Sequence, residues 1–129
     1  MIQTKNFKPS TDKKLLCTCG HDKCDKRSVS QFVLNMLQGT RIEYGLPMII
    51  TSGGRCPLHP NEVQRDKPAD HQKQQGVDIK ITGLAMAMKI MVIAVKYGFN
   101  AFGINLKLGF IHLGYRPELN GKTPAVWTY

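Results

Sequence analysis

Acidic side chains are scarce in this sequence: nine Asp+Glu stand against 18 Lys+Arg, a formal charge of +9 at pH 7. Such a surface favours polyanions, whether nucleic acid, an anionic cell-wall polymer or an acidic protein. Aromatics are also few, at 8% with a single Trp. Phe and Tyr fall mostly in apolar runs instead of alternating with basic residues, which argues against a stacking nucleic-acid interface. Long apolar runs are missing too. Leu84–Val95, twelve residues broken by Lys89, is the longest, whereas a bilayer-spanning helix needs about 20, so no membrane partner is expected. The opening segment MIQTKNFKPSTDKKL has no apolar stretch of the secretory kind. The expectation is synthesis in a cytoplasm, with any action outside it depending on host lysis or packaging in a virus particle.

What is present suits one globular domain. The 129 residues are 42% hydrophobic, enough to bury a core, and no repeat or boundary divides 1–129. Residues 1–27 read as an N-terminal arm carrying three of the four cysteines. Ser28 and Gln31 fit a capping box, and Phe32, Val33, Met36 and Leu37 recur at helical spacing up to a stop at Gly45. Met48–Thr51 suits a short buried strand. A long loop, Ser52 to about Asp70, follows, and long loops in compact domains tend to carry function. Val77-Asp78-Ile79-Lys80-Ile81 alternates as a strand. Residues 83–97 form a second helix, Phe99–Ile104 and Leu108–Leu113 two strands about a turn near Asn105, and Val126–Tyr129 a last strand or packed terminus. The order predicts an α+β domain with a small, mainly antiparallel sheet flanked by two main helices.

Three residues stand out as metal ligands: His71, Asp78 and His112. Asp78 and His112 are polar steps inside apolar strands, where a carboxylate is costly without a partner. Seven residues separate His71 from Asp78. That spacing is about 10.5 Å in a helix and roughly 23 Å in a strand, too far for one shared ion, so the chain must fold back between them. The apolar-free run Gln72–Gly76 permits it. The bland alternative is a sheet histidine satisfied by neighbours and an Asp78 facing solvent. Three ligands with a fourth position open is the catalytic form of zinc.

Several segments, taken in order, resemble the M15 peptidases in their compact phage-type form. Thr51-Ser52-Gly53-Gly54-Arg55-Cys56-Pro57 is similar to the family's strand-end motif. His71 to Asp78 matches its H-x6-D pair, Phe110-Ile111-His112 its third ligand, and Arg116-Pro117 with Trp127-Thr128-Tyr129 its closing segment. Cys17-x-Cys19-Gly20 and the helix after it look like the family's start. The resemblance implies a fold of the hedgehog/D,D-peptidase type and a Zn2+ cofactor on His71, Asp78 and His112. It also implies action on peptidoglycan peptides as a carboxypeptidase or endopeptidase. Arg55 would hold a substrate carboxylate or the developing oxyanion, the alternative being a loop arginine paired with Asp66 or Asp70. The family's acid, three positions before the third ligand or two after it, falls here on Gly109 and Gly114. Ala69 and Gln74 replace the usual Ser and Gly. Asp70, with Glu62 or Glu118 behind it, is the candidate substitute. The departures also support a second reading, an M15-like zinc-binding module of a virus particle, contacting other virion proteins, with weak or lost turnover.

Cys17, Cys19 and Cys24, with His21 or Cys56, form a candidate second zinc site, although the spacing lacks the common C-x2-C knuckle. Free thiols are the competing reading.

Overall fold

The computed structural model describes residues 1–129. Helix α1 (Gln31–Tyr44) begins where Ser30 accepts a hydrogen bond from the Val33 amide, 3.2 Å away. The cap is therefore Ser30 and not Ser28, whose hydroxyl donates instead to the Val29 carbonyl. At the other end Gly45, at φ 81°, takes the left-handed turn and donates to the Arg41 carbonyl, a conformation that costs glycine little. Val33, Leu34, Leu37 and Tyr44 face inward, while Phe32 is exposed and leans on Tyr115, ring centroids 5.0 Å apart. The second helix, α2 (Leu84–Lys96), buries Ala87, Ile90, Ile93 and Ala94.

Five strands complete an α+β fold: β1 (Ile50–Ser52), β2 (Gly76–Lys80), β3 (Ala101–Asn105), β4 (Phe110–Gly114) and β5 (Ala125–Thr128). Their order across the sheet is β1-β2-β4-β3-β5. All pairings are antiparallel except β3 with β5. The sheet is thus mostly antiparallel, as expected, with one parallel edge that the sequence does not announce.

Alternation along the strands divides the sheet into two faces. Val77, Ile79, Ile111, Leu113, Phe102 and Ile104 join the core with residues of both helices. The intervening positions, among them Asp78, Gly103 and His112, point the other way. None of the helices is long and apolar enough to cross a membrane.

The N-terminal arm is anchored in the core at two points. Phe7 and Leu15 are 2% and 0% exposed and belong to the core. A 3-10 turn at Lys13–Leu15, capped by the Asp12 side chain, turns Leu15 inward. Backbone bonds from Val29 and Gly54 to the Leu15 carbonyl, 3.2 and 3.1 Å, then hold it there. The sequence concealed this because two isolated apolar residues among lysines carry no periodicity. Leu15→Ala is therefore expected to cost about 2–5 kcal/mol, read as a shift in urea midpoint at constant slope. A loss under about 0.5 kcal/mol, the size of a surface change, would restore the picture of a peripheral arm.

Candidate metal centre

The sheet's register sets the site. Ser52 pairs with Asp78, Asp78 with His112, His112 with Gly103, and Gly103 with Trp127. One row thus crosses all five strands on the face away from the helices. Directly opposed residues share a face and lie close enough for side chains to touch. His71 reaches the same point from the turns before β2, and Gln74 reverses that segment at φ 64°. This is the fold-back that the His71–Asp78 spacing requires. A left-handed residue with a side chain is strained, so glycine would be easier to accommodate at position 74.

The three side chains meet at Asp78 Oδ1. His71 Nε2 lies 3.2 Å from it and His112 Nδ1 2.9 Å, and the two nitrogens are 3.2 Å apart. All three residues are buried, 3–6% exposed. Their outer atoms are committed elsewhere. His71 donates from Nδ1 to the Gly53 carbonyl at 2.7 Å, and His112 donates from Nε2 to Asp70 Oδ2 at 2.8 Å. A neutral imidazole has one N–H, and here both protons are drawn outward. Two lone pairs and a carboxylate oxygen are left facing one another, an arrangement that suits a cation and resists being dry and empty. The donor set, two imidazoles and one carboxylate with outward-anchored histidines, fits a borderline divalent metal ion.

Without a metal, a proton must serve. Burial opposes a charged His112, but hydrogen bonds to Asp70 and Asp78 outweigh it and hold its pKa above the ordinary imidazole value. Burial likewise pushes the Asp78 carboxyl upward, and the hydrogen bonds from His112 and His71 reverse this to a low pKa.

Asp70 sits behind His112, not in front of the converging atoms. Arg116 braces it from Nε, 3.0 Å to Oδ1, and from Nη2, 3.1 Å to Oδ2. Room for the carboxylate comes from two glycines facing each other across β2 and β4, Gly76 and Gly114. A Cβ on Gly114 would stand 2.6 Å from Asp70 Oδ2, and one on Gly76 would stand 2.7 Å from the His112 ring. Thus the position where an acid is expected two residues after His112 is closed to any side chain by Asp70 itself.

Arg55 is held by Ser52 Oγ at 3.2 Å and by Glu62 Oε2 at 3.4 Å, and its Nη2 stands 3.6 Å from Asp78 Oδ2. Its partners are Glu62 and Asp78 and not Asp66 or Asp70. Glu62 is 2% exposed, lies between Arg55 and Arg65, and does not line the cleft. Glu118 is exposed on the 3-10 turn Pro117–Leu119, away from the cleft. The cleft over the centre has a volume of about 670 Å³, and its arginines, Arg55, Arg65 and Arg116, outnumber its two carboxylates, Asp70 and Asp78. Trp127 forms one wall. Its ring occupies the space of a missing Gly103 side chain, with the indole nitrogen 2.4 Å from where a Cβ would be. The Arg116 guanidinium stacks on it at 5.0 Å. Sequence reasoning passed over Gly103, although a glycine inside an apolar strand is itself a sign of close approach.

The four cysteines also converge. Their Sγ atoms all lie within 4.8 Å of one another, the fourth being Cys56, while His21 is exposed and outside the group.

A protein-family model described as Peptidase M15 matches residues 6–114. The match takes in the three metal-facing residues, Arg55 and all four cysteines, and ends before Arg116-Pro117 and β5. No curated protein and no solved structure matches the chain significantly.

Asp70 anchors His112 through its outer nitrogen, so Asp70→Asn is expected to weaken metal binding about 10- to 100-fold in a competition titration against a chromogenic chelator. Affinity should also fall with decreasing pH, beginning above the range where free imidazole titrates, because the ion must displace a proton that His112 holds tightly. An unchanged affinity in Asp70→Asn would sever the link between the two residues.

Proposed function

The chain belongs to the M15 peptidase family, and from that premise we propose that it is a zinc-dependent peptidase of peptidoglycan peptides, cutting next to a free carboxylate. The carrying observation is the convergence of His71 Nε2, His112 Nδ1 and Asp78 Oδ1, with both imidazole protons turned outward, on the floor of an open cleft. Zinc, when bound, supplies an acidified water and a Lewis acid for the scissile carbonyl.

The chain's own residues do the rest. His71 and His112 arrive with their tautomers already set, so no reorganisation is needed for them to act as ligands. Arg55, clamped by Ser52 and Glu62, presents a fixed guanidinium beside the centre. It can hold a peptide's terminal carboxylate or the oxygen that gains charge during attack. Arg65 and Arg116 extend the positive field along the cleft, and the chain's +9 charge favours approach to an anionic wall polymer. Trp127 offers an apolar wall to the rest of the peptide.

One feature favours a second reading. Both carboxylates that line the cleft are engaged, Asp78 at the centre and Asp70 between His112 and Arg116. A peptidase ordinarily uses a carboxylate to carry the proton from water to the leaving amine. A domain that keeps the metal and the arginines without that carboxylate is suited to holding a peptide and turning it over slowly. That is a zinc-binding module, such as one carried on a virus particle.

Release of new amino groups from purified cell wall separates the two. The peptidase reading predicts chelator-sensitive release, lost in His112→Ala, with Arg55→Ala lowering kcat/KM about 100-fold. No release by protein carrying zinc at the His71 site, together with retained wall binding, would decide for the module.

A further inference from the structure

The thiol cluster lies apart from the cleft, and nothing in the proposed chemistry uses it. We infer that Cys17, Cys19, Cys24 and Cys56 form a four-thiolate site for one structural zinc ion, which ties the N-terminal segment to the loop carrying Arg55. The inference does not rest on the proposed activity.

Geometry comes first. Zinc held at about 2.3 Å by four sulfurs places neighbouring sulfurs about 3.8 Å apart in a tetrahedron. Cys19 and Cys56 Sγ are 3.6 Å apart, and no pair in the group exceeds 4.8 Å. All four are free thiols. So tight a set encloses a single ion and leaves no space for a multi-iron cluster. Three of the four sit within eight residues of loop and the fourth 32 residues after the third, so convergence is a product of the fold and not of chain proximity.

The backbone is arranged for thiolates. The Lys26 amide donates to Cys24 Sγ at 3.3 Å, an approach made possible by Lys26 in the left-handed region at φ 52°. Such a donor stabilises negative charge on sulfur. Lys13 and Lys26 line a small pocket beside Cys17, and Arg27 stands close enough to feel Cys56 and Cys17. This basic rim offsets the net charge of four thiolates around a dication.

The structural consequence is local. The Gly54 amide bonds the Leu15 carbonyl, the Cys17 amide bonds the Arg27 carbonyl, and a Cβ on Gly54 would stand 2.2 Å from the Arg27 oxygen. The two strips of backbone are already in contact. An ion bonded to Cys56 on one strip and to three cysteines on the other clamps that contact one residue from Arg55.

Metal analysis and X-ray absorption on protein purified under reducing conditions test the inference. Wild type should hold two zinc ions, and the double variant His71→Ala/His112→Ala one, surrounded by sulfur alone at about 2.3 Å. Cys24→Ser should hold one fewer than wild type. Cobalt in the double variant should give thiolate-to-metal charge-transfer absorption. Should that variant not fold, the wild-type spectrum decides by its sulfur shell. Wild type with only nitrogen and oxygen around its zinc, with iron at the sulfurs, or with four thiols open to a thiol reagent after zinc loading, overturns the site. A single zinc with an all-sulfur shell in wild type would uphold it while removing the His71 centre.

Discussion

Cross-strand register is the constraint from which the site follows. Asp78 on β2 and His112 on β4 are direct partners, and their apolar neighbours Val77, Ile79, Ile111 and Leu113 are all fully buried against the helices. The hydrophobic face fixes the register, because a slip of β2 by one residue would turn Val77 and Ile79 into the cleft and Asp78 into the core. The free energy that selects the pairing is apolar, roughly 25 cal/mol for each Å² removed from water. The polar row is carried along by it. Site geometry is in this sense set by residues that never touch a metal or a substrate.

The polar row is expensive in itself. Two imidazoles and two carboxylates lie buried on one side of a small sheet, and each would be penalised heavily if left unpaired. The structure answers by satisfying every outward atom. Gly53 takes the His71 proton, Asp70 the His112 proton, and Arg116 the remaining valence of Asp70. At the point where His71, His112 and Asp78 converge, the inner atoms have only one another as partners. Two ring nitrogens with their protons drawn outward and a carboxylate oxygen gathered at a single spot are a directional signal. It points to a cation more strongly than the identity of the three residues does.

The sequence displayed the parts of this arrangement that have periodicity or position. Val77–Ile81 alternates, so β2 and the orientation of Asp78 were readable. The helices were readable from their apolar spacing and from Gly45. Resemblance to a family supplied the identity of the ligand set, which spacing alone left open against a satisfied sheet histidine. What stayed hidden depends on distant contacts. Parallel pairing of β5 with β3 has no local signature. Phe7 and Leu15 look like stray apolar residues until both join the core, Leu15 with Gly53 and Gly54 lying against it. Asp70 was noticed as an acid beside His71, but its engagement with His112 requires the Gly76–Gly114 slot, which exists only once β2 and β4 are paired. The choice of Cys56 over His21 in the thiol group was likewise a matter of tertiary approach.

Four consecutive residues show how closely the two clusters are joined. The Gly53 carbonyl orients His71, the Gly54 amide holds Leu15 and with it the N-terminal segment, Arg55 stands beside Asp78, and Cys56 belongs to the thiol group. A chain of this kind has little freedom for independent adjustment: rotating the segment to move Arg55 would also disturb the acceptor of the His71 proton and the position of a sulfur. Both centres therefore constrain the same short stretch of backbone from opposite ends. The same rigidity supports the direction that Ser52, Glu62 and Asp78 give to Arg55. It also leaves the convergence of His71, Asp78 and His112 independent of any side chain at position 114, where the chain has glycine. The geometry of the three converging side chains is held by the sheet and by residues 53–56, and the space beside position 114 is filled by Asp70.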